Sequence, residues 1–128
     1  DPDAGKAYQE LLHHALRLGV EYIDLEITLP ESTFSEIVAR KGNTSILGSY
    51  HDWQGNLVWT SPQTRQLYDR MVRSGSDIVK IAGMAKTFED NMNLRQFVGT
   101  LDRNATPLLA INMGPEVSLS SLGEPVEC

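Results

Sequence analysis

Cysteine is almost missing from this chain of 128 residues: the only one, Cys128, stands at the last position. A single thiol excludes an internal disulfide framework and a cysteine-rich zinc module. Bases are also scarce, with 11 Lys and Arg against 17 Asp and Glu, for a formal charge of −6. That balance argues against direct nucleic-acid binding, which rests on clustered cations facing phosphates. It leaves room for gene regulation through protein contacts. No apolar run approaches the roughly 20 residues of a membrane helix. No charged-then-apolar leader opens the sequence, so a cytoplasmic or nuclear location is expected. GxGxxG, Walker-loop and HExxH patterns do not occur, so nucleotide and zinc-protease readings have no support. No cofactor and no metal are expected.

What is present reads as one globular domain. Hydrophobic residues make up 41% and charged residues 22%, neither a disordered nor a fibrous balance. Ala7, Leu11, Leu12, Ala15 and Leu16 recur at helical spacing, which predicts a helix from Asp1 to Leu18 stopped by Gly19. Glu21 to Leu29 is rich in β-branched residues and closes at Pro30, a strand. Ser32 to Arg40 predicts a short helix capped by Ser32 or Thr33. Thr44 to Tyr50 is a second strand, and the turn-rich stretch His51 to Gln63 is a loop. Pro62 and Gly75 bracket a helix in the usual order. Asp77 to Met84 is a third strand, Thr87 to Leu101 a helix, and Pro107 to Met113 a fourth strand. The tail from Gly114 to Cys128 has no period.

Helices and strands therefore alternate, which favours a parallel sheet with helical crossovers. Four such βα units make half of a (β/α)8 barrel or a small open sheet. Length alone prefers the open sheet, because a full barrel takes about 250 residues.

Three residues stand out chemically. Lys80 lies inside Ile78-Val79-Lys80-Ile81-Ala82, and period two places it on the face of Ile78 and Ala82. A desolvated ammonium there gives up its proton more readily, and the neutral amine can attack a carbonyl to form a Schiff base. The alternative is a strand-end lysine that snorkels to water. His51 stands where the second strand gives way to its loop, the end at which parallel α/β proteins build sites. It suits general acid and base work near neutral pH, or else bonds to the adjacent Asp52. Asp24 and Glu26 share one face of the first strand, where carboxylates need partners. Glu26 can orient a histidine on the next strand, as carboxylates often do; alternatively, either acid meets an arginine or a backbone amide. Glu26, His51 and Lys80 end three consecutive strands, so base, orienter and amine can converge. Trp53 and Trp59 bracket the loop after His51, either packing it or forming a lid. Ser49 lacks the context of a nucleophile elbow.

At these residues the sequence resembles type I 3-dehydroquinate dehydratase, in the version fused into the fungal arom polypeptide. The resemblance rests on Glu21-Tyr22-Ile23-Asp24-Leu25-Glu26, Gly48-Ser49-Tyr50-His51-Asp52, Asp77-Ile78-Val79-Lys80-Ile81-Ala82, Asp90-Asn91 and Ala110-Ile111-Asn112-Met113-Gly114. It implies a (β/α)8 barrel of which this chain holds the fourth to seventh strands. Residues 1–114 would be the partial dehydratase-like domain and residues 115–128 a diverged tail. Lys80 would capture the substrate ketone as an imine. His51 would take the proton beside the iminium and help the hydroxyl leave as water. Glu26 would position His51.

The tail departs from the family. Val117 stands where a glycine is expected, and Ser121 where an arginine grips the substrate carboxylate. Serine cannot make the bidentate, charge-assisted contact, a loss on the order of 10²-fold in binding. On that ground the resemblance implies a non-catalytic domain first. It would sense a quinate- or shikimate-pathway metabolite, or bind an activator protein, within a fungal quinate-pathway repressor. The other implied reading is a fragment of a working dehydratase. Half a barrel leaves open strand edges and a wet apolar face, so a homodimer or an element swap is expected.

Overall fold

The chain alternates helix and strand four times. In order, the elements are α1 (Pro2–Arg17), β1 (Tyr22–Glu26), α2 (Glu31–Arg40), β2 (Ser45–His51), α3 (Pro62–Arg73), β3 (Ile78–Met84), α4 (Phe88–Gly99) and β4 (Leu108–Met113). These come from a computed structural model that describes residues 2–115. Ser121, Val117 and Cys128, and nearly all of the predicted 115–128 tail, lie outside the described residues.

Local chemistry explains most boundaries. Gly19 takes φ +68°, and its amide bonds to the Leu16 carbonyl at 3.0 Å, closing α1. At the other end of the chain's first half, β1 stops three residues before the predicted Leu29. The Leu29 amide turns back onto the Glu26 carbonyl at 3.0 Å and leads the chain into Pro30. Neither Ser32 nor Thr33 caps α2: the helix starts at Glu31, Pro30 holds the cap position with ψ 135°, and no side chain bonds there. The Pro30 carbonyl instead accepts from the Phe34 amide at 3.1 Å. The fixed φ of proline has already set the helix entry. Asp90 opens α4 by accepting from the amides of Lys86 (2.8 Å) and Thr87 (2.9 Å).

All four strands are parallel and lie in the order β1-β2-β3-β4. Because side chains alternate, one face takes Ile23, Leu25, Ile46, Val79 and Ile81, each 5% exposed or less. This face packs under Phe34, Ile37, Tyr68, Met71, Leu94 and Phe97 from the helices, forming the core. The opposite face has no such cover. Tyr22, Leu109 and Ile111 remain 41–56% exposed there. A strand order that never doubles back, with its helices on one side, is an arc of a barrel.

Asp77 ties the start of β3 to its neighbours, accepting from the Ile46 amide and the Lys41 ammonium, both at 2.8 Å. Burial pushes its carboxyl up, but these bonds and the Lys41 charge outweigh it and hold the group below its ordinary 3.8. The resulting stability is present above about pH 4 and is lost as pH falls through the lowered value.

Gly48 marks the tightest approach between β2 and the helix layer. A Cβ there would sit 2.0 Å from Ser76 Oγ and 2.9 Å from Ser76 Cβ. Ser76 is itself buried, so it has little room to yield. Gly48→Ala should therefore destabilise the chain by about 1–3 kcal/mol. Chemical denaturation would register this as a lower midpoint with an unchanged slope.

Candidate active site

The uncovered face carries a line of polar residues across three strands. Register places Glu26 beside Ser49, Ser49 beside Lys80, and Lys80 beside Leu109. His51 lies two residues further along β2, beside Ala82. The three residues singled out from the sequence thus share one face; Glu26 and His51 end their strands, but Lys80, expected at a strand end, is the third of the seven residues of β3.

Glu26 holds His51 at two points. Its Oε2 lies 2.8 Å from His51 Nδ1, and its Oε1 accepts the His51 backbone amide at 3.1 Å. With Nδ1 engaged, Nε2 is the ring nitrogen left for proton transfer. The Trp53 indole stacks on the imidazole, with centroids 5.6 Å apart and planes 11° from parallel. The alternative pairing of His51 with Asp52 does not form. Asp52 is buried and turns into its own loop, where its Oδ2 accepts the Leu57 amide at 2.7 Å.

Lys80 meets different surroundings from those its strand neighbours suggest. Along the strand it is flanked by Ile78 and Ala82, but across the sheet it reaches Asp24, with Nζ 3.1 Å from Oδ2. Its side chain is 23% exposed, because the face above it is open. The amine is therefore held in an ion pair rather than sealed in apolar contacts.

Ser49 joins the two halves of this cluster and was passed over in the sequence. It is fully buried, and its hydroxyl touches both Asp24 Oδ1 and Glu26 Oε2, the latter at 3.1 Å. Lys80, Asp24, Ser49, Glu26 and His51 consequently form one unbroken polar chain. Counting by two from Glu26 and Lys80 to the strand between them would have found the serine. The nearby Tyr8 hydroxyl on α1 also feels the cluster: burial first, then the charges of Asp24 and Glu26, raise it above its ordinary value.

The loop that follows His51 is anchored through Trp59 and Gly55. Trp59 is buried, its Nε1 donating to Asn112 Oδ1 at 2.8 Å, and Asn112 Nδ2 donates to Asn91 Oδ1 at 2.9 Å. Lys86 Nζ donates to the Gly55 carbonyl at 2.6 Å. Trp59 therefore packs the loop. Trp53, 73% exposed, lies over the histidine.

The fold and the cluster define a segment of a parallel α/β barrel protein, with its polar groups gathered on one face of the sheet. The sequence model for type I 3-dehydroquinase matches residues 2–126, and the chain belongs to that family. It is 46% identical over 120 residues to the pentafunctional AROM polypeptide of Mycosarcoma maydis. That match covers 93% of this chain and 7% of the relative, so the chain spans a small part of it. Among solved structures, the dehydroquinate dehydratase and shikimate dehydrogenase portion of S. pombe AroM superposes with a TM-score of 0.82 at 29% identity. That superposition covers 94% of this chain and 23% of the other. The Clostridium difficile type I 3-dehydroquinate dehydratase, at 20% identity, shares the fold with a TM-score of 0.79; 93% of this chain matches 48% of that one.

Proposed function

We propose that this chain is the imine-forming portion of a type I 3-dehydroquinate dehydratase of the AROM kind, converting 3-dehydroquinate to 3-dehydroshikimate. The observation that carries the reading is the Glu26–His51 pair at 2.8 Å, one strand from an amine on the same face. Lys80 releases Asp24, and its neutral amine adds to the substrate ketone. Loss of water leaves an iminium on Lys80. The iminium draws electrons from the adjacent carbon, whose proton passes to His51 Nε2. His51 Nε2 then gives that proton to the neighbouring hydroxyl, which departs as water while the double bond forms. Hydrolysis of the imine returns Lys80. Glu26 keeps the imidazole facing the reacting carbon throughout.

The AROM relatives support this enzyme reading over a role as a quinate-pathway repressor that senses a metabolite or binds an activator. The repressor reading keeps two departures in its favour, Val117 in place of a glycine and Ser121 in place of the substrate-gripping arginine. Mixing the chain with 3-dehydroquinate, reducing with borohydride and mapping the peptides separates the two. A reduced adduct on Lys80 is expected. A chain that still binds the metabolite but yields no adduct would favour the repressor.

A further inference from the structure

The polar chain that runs from Lys80 to His51 is one proton short. Ser49 stands at its centre, fully buried, with its hydroxyl against Asp24 Oδ1 on one side and Glu26 Oε2, at 3.1 Å, on the other. A serine hydroxyl has a single proton to donate, and ionised carboxylates only accept. At any moment one acid receives a hydrogen bond from Ser49, and the other faces a lone pair. The proton changes sides by a turn about the Cβ–Oγ bond, with no bond to hydrogen broken.

The side it takes depends on what else each acid holds. Asp24 Oδ2 accepts from the Lys80 ammonium at 3.1 Å. Glu26 accepts the His51 amide at Oε1, and its Oε2 meets Nδ1 of the ring at 2.8 Å. While the ammonium blunts the demand of Asp24, the two acids compete for the Ser49 proton. Once the Lys80 nitrogen is drawn into an imine, Asp24 has lost its cation and takes that proton outright. Glu26 Oε2 is then left to the imidazole alone. A carboxylate that gives up one donor holds the remaining one more strongly, most of all when that donor is charged. Glu26 therefore favours the imidazolium at the stage when a proton has to be taken from the substrate.

We propose that Ser49 is a positioning residue that couples Lys80 to His51, its hydroxyl turning toward Asp24 when the amine is engaged and so tightening the grip of Glu26 on the base. Its use in catalysis rests on the imine reading above. The coupling itself belongs to the chain without substrate, because removing the ammonium by substitution sets the same switch.

NMR of the His51 ring in the whole chain reads it directly. Lys80→Met should move the Nδ1–H proton downfield, the mark of a stronger bond to Glu26. Lys80→Arg, which keeps a cation for Asp24, should leave it in place. In a Ser49→Ala background most of the displacement caused by Lys80→Met should be lost, a non-additivity that a merely structural serine would not produce. If Ser49→Ala fails to fold by circular dichroism, Asp24→Asn breaks the same path one link earlier and should cancel the displacement too. An unmoved resonance in Lys80→Met would overturn the proposal, as would an equal displacement in Lys80→Arg. So would a displacement that survives in the Ser49→Ala or Asp24→Asn background, since the ammonium would then act on the ring directly. Ser49→Ala should still give the borohydride-fixed adduct on Lys80. An adduct missing from the unsubstituted chain would count against the imine reading and leave the coupling to be decided by the resonance.

Discussion

Lys80→Arg should abolish the borohydride-fixed adduct while leaving the chain folded. Arginine keeps the positive charge and can keep the contact with Asp24, now 3.1 Å from the lysine nitrogen. Its guanidinium stays protonated, however, and has no lone pair to offer a ketone. The change is therefore one of nucleophilicity at nearly constant charge. Lys80 sits on the open face with 23% of its side chain exposed, so the stability change should stay within about 1 kcal/mol. Mass mapping after reduction reads the chemistry, and chemical denaturation reads the fold. Undiminished adduct in the variant would assign the imine to another amine. Lys86, bonded to the Gly55 carbonyl in the next loop, is the first to examine.

The largest effect on stability is expected at Ile81. It is fully buried between the sheet and its helices, in the middle of the core. Ile81→Ala leaves a cavity there and should remove about 2–5 kcal/mol. The neighbouring strand offers a control of the same residue type on the opposite face. Ile111, beside Ala82 in the ladder, is 41% exposed. Ile111→Ala should cost no more than about 0.5 kcal/mol in an isolated chain. Denaturation midpoints measured over a range of protein concentrations separate the two positions. The loss at Ile81 should hold at every concentration, whereas a loss at Ile111 that grows with concentration would mean that its face is covered by association. Equal losses at both positions in dilute protein would contradict the one-sided core.

Much of this architecture was readable in the chain because its punctuation is strong. Pro62 and Gly75 bound α3, Gly19 ends α1, and alternation in Ile78-Val79-Lys80-Ile81 fixes which residues go under the helices. The end of β1 was misread because Ile27 and Leu29 have strand chemistry. The turn at Glu26 is set by backbone bonds that side-chain preference does not report. The candidate site was legible in part. Period two placed Glu26, His51 and Lys80 on one face, and register then aligned them. Sequence could not reveal that Lys80 would reach sideways to Asp24, since that depends on a rotamer and on open space above the sheet. Ser49 escaped for a related reason: its role lies in standing between two acids from another strand. The expected loss of catalysis rested on Val117 and Ser121, which lie beyond the described residues.

The alternation across β3 has a consequence for folding fidelity. Val79 and Ile81 are fully buried, and Lys80 between them points the other way. A slip of one residue against β2 would drive the ammonium beneath α3 and lift two aliphatic side chains into water. Burying an unpaired charge is among the most heavily penalised errors a sheet can make. The lysine thus proofreads the strand that presents it. Ladders that misalign are rejected by the same residue whose amine they would have misplaced, so chains that reach the native sheet arrive with the Lys80 amine already on the open face.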